Sequence, residues 1–219
     1  MRRLLWRLGS RGVVVIVGLA VLVPVVLAGK TFVKPTAKAA INYPAHDFHR
    51  DEQVAIAADP YDTQEKAKIF SVDFAGHGYL PVFFVVTNDG DQPISIAKMA
   101  ITLLTANHSK LTPIDTDDLY RRLSNPRMAT RPSPLPLPSK VKGGVGKKEM
   151  DEIEGAQFAA RAVEPHTTQS GFVFFDTGGI GSPLPGANID VTGIRDAKGN
   201  ELMFFEIPLD KYLSAPVNP

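Results

Sequence analysis

The sequence predicts a mainly β protein: an antiparallel, immunoglobulin-like β-sandwich with two short helices, preceded by an N-terminal transmembrane helix. Three observations carry that expectation. An uncharged apolar run near the N-terminus follows a cluster of arginines. Six or more short segments rich in β-branched and aromatic residues are separated by turn residues. No regular alternation of strands with helices appears, which argues against a parallel sheet.

Arg2, Arg3, Arg7 and Arg11 precede "GVVVIVGLAVLVPVVLAG", Gly12 to Gly29. As a helix this run is about 27 Å long, enough for a thin hydrocarbon core. Arginines before it and none immediately after orient the N-terminus to the cytoplasm and the rest of the chain outside. Residues 1–29 are therefore expected to be a signal anchor. Val26-Leu27-Ala28 also fits a cleavage pattern, and cutting there would make the protein secreted. The full chain carries 24 Lys and Arg and 23 Asp and Glu; without the four arginines before Gly12, 20 basic residues face the 23 acidic ones, about −3. A mildly acidic body has no footprint for nucleic acid. Cysteine is absent, which excludes disulfides, thiolate metal sites, Cys nucleophiles and a lipobox together.

Residues 30–50 show no periodicity and are expected to be a tether, with the sandwich over 51–219. "QVAIAA" (53–58) alternates Val54, Ile56 and Ala58 as a half-buried strand does. A helix capped by Asp62 is expected over "TQEKAKIF", with Glu65 completing a capping box. "YLPVFFVVT" (79–87) has the apolar continuity of a strand buried on both faces. "NDGDQP" then provides turn chemistry, and "ISIAKMAITLLT" (94–105) is expected to be the return strand. Asp115 is placed to cap a helix over "TDDLYRRL", whose acids lie at the positive end of its dipole and Arg121 and Arg122 at the other. Asn125-Pro126 stops it.

Between about 124 and 148 the composition is rich in Pro, Gly and Lys and predicts a disordered loop. "KEMDEIEGAQFAA" begins as a charged short helix or an irregular approach. "SGFVFFD" (170–176), "ANIDVTGI" (187–194) and "ELMFFEIPL" (201–209) are strands, the last two joined by "RDAKGN" with Gly199 available for a left-handed turn position.

The pair "YLPVFFVVTNDGDQPISI" and "VEPHTTQSGFVFFD" resembles exported bacterial domains of the telokin-like, immunoglobulin-like kind. In those, an Asn-containing turn follows an early core strand, and a Pro-anchored turn leads into a Gly-Phe-x-Phe strand. Here "EPH" stands where that family tends to have Pro-Gly. The resemblance implies binding of a ligand or partner in the envelope and brings no catalytic residues.

Four motifs invite chemistry. "KGGVGKK" (142–148) approaches a phosphate-binding loop, but Lys148 stands where a hydroxyl must hold Mg²⁺, and four prolines precede it in place of a strand. It is a decoy. Asp176-Thr177-Gly178 has the letters of an aspartic protease loop, whose chemistry needs two carboxylates sharing a proton. That loop defines the alternative class, an exported hydrolase built around Asp176. "HDFHRDE" offers His46 and His49, with Asp47, Asp51 and Glu52, as metal ligands if the segment is helical. "NDGDQ" and "DTDD" are acidic but do not continue to the Glu that closes a calcium loop. His77, His108 and His166 are isolated. The sequence therefore assigns no catalytic, cofactor or metal residue. It points to a non-enzymatic binding or scaffolding module, partnered by the membrane and an envelope protein.

Overall fold

The computed structural model describes residues 32–125, 145–202 and 204–215. The expected anchor, residues 1–29, lies outside them. Among the described residues no helix is long and apolar enough to cross a membrane.

The chain is mainly β, with antiparallel sheets. Among the described residues ten strands are formed: β1 (His46–His49), β2 (Val54–Pro60), β3 (Tyr79–Asn88), β4 (Ile94–Ser95), β5 (Ala100–Leu104), β6 (Lys110–Leu111), β7 (Ala162–Val163), β8 (Thr167–Asp176), β9 (Asn188–Thr192) and β10 (Phe205–Pro208). Four α-helices accompany them among the same residues: α1 (Gln64–Ala67), α2 (Thr116–Ser124), α3 (Lys147–Ala156) and α4 (Asp210–Leu213). One sheet has the order β1-β2-β3-β8 and the other β10-β9-β5-β6; β4 pairs separately with β7.

The strand alternation builds two cores from one sheet. Val82, Phe84 and Val86 of β3 face the second sheet, where Leu103, Ile189, Val191, Phe205 and Ile207 complete a shared apolar cluster. Phe83 and Val85 face the other way, as five consecutive apolar residues require. There Leu119 and Leu123 of α2, Ile153 and Ala156 of α3, and Phe70, Val72 and Phe74 cover them. Phe83, Phe84, Phe172, Phe174 and Phe175 are all fully buried.

Several expectations need correction. The tether does not extend to residue 50. Ala40 and Ala45 are fully buried, the Ala40 amide donates to Thr87 Oγ1 at 2.9 Å, and β1 pairs with β2. Its His-Asp-Phe-His sequence has little strand propensity, so pairing rather than composition makes it a strand. The helix after Asp62 is one turn capped by Thr63, whose Oγ1 accepts from the Lys66 amide. Asp62 is instead occupied by Tyr212, whose hydroxyl donates to it at 2.6 Å.

Residues 94–105 are not one return strand beside β3. The neighbours of β3 are β2 and β8, and the segment divides into β4 and β5. Asn88 explains the departure from β3: its side-chain amide donates to Gln92 O and Val163 O, and its side-chain carbonyl accepts from Gly90 N. That buried side chain turns the chain out of the sheet. The capping of α2 by Asp115 is as expected, with Asp115 Oδ1 accepting from Asp117 N at 2.9 Å. The hairpin between β9 and β10 is also as expected, with Gly199 at φ +87°.

Candidate functional site

The two sheets meet differently at their two pairs of edge strands. On one side β1 and β10 are clasped. The His49 ring stacks on Phe205 with centroids 3.9 Å apart and planes 16° off parallel. Asp47 Oδ2 accepts from the Glu206 amide at 3.0 Å. On the other side, where β8 faces the part of β5 that the short edge strand β6 leaves unpaired, the sheets part around a cleft of about 510 Å³.

Pro113 makes the cleft. β6 pairs with β5 only at Leu103 and Leu104; continuing that register would set Pro113 opposite Ile101, the next hydrogen-bonding position, where a proline has no N–H for the ladder. The chain crosses at that point to the first sheet, where the Ile114 amide donates to Phe174 O at 2.8 Å. Thr105 N donates to Ser109 O, so odd-numbered residues of β5 turn their backbone groups away from β9. By that alternation Ile101 turns its N–H and C=O into the cleft.

Gly171 sets the opposite wall. A methyl group there would overlap the Phe158 Cα and the Gln157 carbonyl. Only glycine lets the segment at Gln157 and Phe158 lie on β8 as a strap, with the Phe158 amide donating to Phe172 O at 2.9 Å. The cleft walls are apolar at Met99, Ile101, Phe158 and Val173, with Thr102 and Thr112 at the rim. Such a lining, beside an open strand edge, can bind an extended chain by backbone hydrogen bonds and take its side chains into apolar contact.

The residues singled out for chemistry are dispersed. Asp176 has Arg122 Nη1 at 3.1 Å on one oxygen and the Gly178 amide at 3.1 Å on the other. Thr177 donates through N and Oγ1 to Gly78 O. Those contacts tie a loop to the end of β3.

Of "KGGVGKK", residues 142–144 lie outside the described residues. Gly146 caps α3, and its amide donates to Glu149 Oε2 at 2.8 Å. The helix's own carboxylate thus occupies the position an incoming phosphate would need. Lys147 and Lys148 are exposed in the first turn of that helix rather than in a disordered loop.

His46 and His49 cannot share a metal, because their segment is a strand and positions three apart point to opposite faces. His46 Nδ1 donates to Tyr43 O at 2.6 Å, while His49 Nε2 lies 3.3 Å from Asp47 Oδ2. The acids of "DTDD" serve α2, Asp118 pairing with Arg121 at 2.6 Å. His77 Nδ1 donates to Asp73 O, His166 Nε2 lies 3.2 Å from Asp91, and His108 occupies a turn at φ +59°. Among the described residues no group of three or more His, Cys, Asp or Glu is placed to hold a metal.

Two polar clusters were not read from the sequence. Glu152, nearly fully buried, accepts from Ser71 N at 2.9 Å and from Ser71 Oγ at 2.5 Å. It fastens the segment carrying Phe70 and Val72 to α3. Lys66 Nζ lies 2.5 Å from Asp59 Oδ1 and sits over the Tyr212 and Tyr61 rings, 4.3 and 5.4 Å from their centroids. Burial pushes the Asp59 carboxyl up, with Lys66 opposing. Burial also pushes the Tyr61 and Tyr212 phenols up, reinforced for Tyr212 by its bond to Asp62. Both clusters join segments far apart in the chain, so the sequence carried no local sign of them.

No protein-family description matches this chain, and no curated protein or solved structure is significantly similar to it.

Proposed function

We propose that the chain is a membrane-anchored, extracytoplasmic binding or scaffolding module of the cell envelope. Its folded part is an immunoglobulin-like sandwich whose cleft receives an extended segment of a partner protein. The observation that carries this reading is the asymmetry of the edges: β1 and β10 are clasped by His49 and Phe205, whereas β5 is left open opposite β8. The apolar run from Gly12 to Gly29 supports the anchor and the outward placement. The likeness of the β3 and β8 segments to telokin-like exported domains supports the same role. Asp176, held by a guanidinium and a backbone amide, favours binding over carboxylate chemistry.

Backbone pairing supplies affinity in such a site, and pockets for alternate side chains supply specificity. Selection of displayed peptides on the full chain tests this. Extended peptides with alternating apolar residues should be enriched. Thr112→Arg, at an exposed rim position, should weaken them by about tenfold or more with the melting temperature unchanged. Equal binding to both proteins, or no enrichment, would overturn the reading.

A further inference from the structure

Residues 32–43 form a strap with two sides. Phe32, Ala37, Ala40 and Tyr43 face the helix-bearing core. Phe32 is stacked on Phe70 with centroids 5.5 Å apart, and the Lys38 amide donates to Tyr43 Oη. Val33, Ile41, Lys34 and Lys38 are on the exposed side. Val33 is 74% exposed and Ile41 45%, and Phe48 of the adjacent β1 is 38% exposed. Phe48 pairs with Ala55, whose side chain is on the same face of the sheet as the strap.

Three of the five large exposed apolar residues among those described therefore fall within sixteen positions of sequence. Scattered singly, such residues need no explanation, but grouped beside lysines they do. Residues 30–46 contain Lys30, Lys34 and Lys38 and no acid. The apolar run ends at Gly29, four positions before Val33. Lys34 Nζ donates to Ser170 O at 3.3 Å.

We infer that this strap, with Phe48, is a docking face for an anionic bilayer surface, and that it seats the folded domain on the membrane from which it hangs. The inference rests on the anchor in the proposed function. Lysines near an anionic surface are attracted through its negative potential, each adding about fivefold to the affinity. Val33, Ile41 and Phe48 enter the boundary between headgroups and acyl chains, as the apolar side of an interfacial segment does.

The absence of cysteine allows a single probe to be placed anywhere. Ile41→Cys, and as control Lys198→Cys in the turn between β9 and β10, are labelled with an environment-sensitive fluorophore on the full chain. Each is reconstituted in vesicles of phosphatidylcholine alone or with phosphatidylglycerol. The Ile41 probe should shift to the blue and become accessible to a lipid-borne quencher only in the anionic vesicles, while the Lys198 probe should not. Lys34→Glu with Lys38→Glu should abolish the shift without releasing the chain. A chain that floats with anionic vesicles while its Ile41 probe stays as wet as the Lys198 probe would overturn the docking face alone. A chain that does not float with either vesicle would overturn the anchor, and the docking face with it.

Discussion

The imidazole of His49 lies flat on the ring of Phe205, 3.9 Å between centroids, and the two residues belong to different sheets. A sandwich whose sheets are held together at one edge can tolerate a gap at the other. The stack, with the Asp47–Glu206 bond beside it, therefore holds the two sheets together at the edge away from the cleft. Phe205 is fully buried, and its truncation to Ala should cost about 3–5 kcal/mol. His49→Ala should cost about 0.5–1.5 kcal/mol for the lost ring contact. Urea unfolding of both variants checks the order; an equal, negligible effect would remove the clasp from the account.

Phe84 is fully buried between the sheets and meets Phe158 edge-on at 5.4 Å. Phe84→Ala should cost about 3–5 kcal/mol, enough to unfold a marginal domain. Phe83→Ala should do the same from the helix-bearing side, since both faces of β3 are covered. A thermal melt unchanged for either variant would mean that the corresponding layer does not form.

Gly171→Ala places a methyl group against backbone that has no flexible end to yield. The strap at Gln157 and Phe158 must lift from β8, at about 1–3 kcal/mol of overpacking. Because that strap is a wall of the cleft, peptide binding should fall more than stability does. Calorimetry and a binding titration on the same sample separate the two effects.

Glu152→Ala removes the acceptor of the Ser71 amide and hydroxyl. A hydrogen bond to a charged acceptor contributes about 1.5–3 kcal/mol, and both bonds from the exposed Ser71 are lost together. Ser71→Ala leaves its amide satisfied and should cost less. Denaturant midpoints of the two variants should keep that order, and the reverse order would place the energy in the hydroxyl instead.

Alkaline pH should weaken the fold through Tyr212. Burial first, then the bond to Asp62 and nearby carboxylates, raise this phenol above its ordinary 10.0. The unfolded chain loses the proton as pH passes 10.0 while the folded chain retains it, so stability is complete below that value and falls above it. Tyr212→Phe should be less stable than the parent at about pH 7 and should lose less between about pH 10 and 12. Parallel urea titrations at the two pH values read the difference, and identical pH slopes would contradict it.

The main strands and the double cover of β3 were legible because side-chain alternation is a local signal. Val82 to Val86 state their requirement without help from the rest of the chain. β1, β6 and β7 are short or polar, and only their partners make them strands. The hairpin expected after Asn88 failed because that side chain bonds to Val163, 75 residues away. The cleft was hidden for the same reason. Pro113 and Gly171 are its sequence marks, but each acquires meaning only from a segment distant in the chain.

The central claim is that the β5 edge is open at Ile101 and closed at Leu103. Amide hydrogen exchange of the full chain, resolved by residue, measures it directly. The Leu103 amide faces Leu111 across a paired strand and should exchange with the core, whereas the Ile101 amide should exchange roughly a hundredfold faster or more. A peptide bound in the cleft should bring Ile101 to the rate of Leu103. Equal, slow exchange at both positions in the unbound protein would mean that the edge is already closed, and the account of the cleft as a strand-receiving site would be wrong.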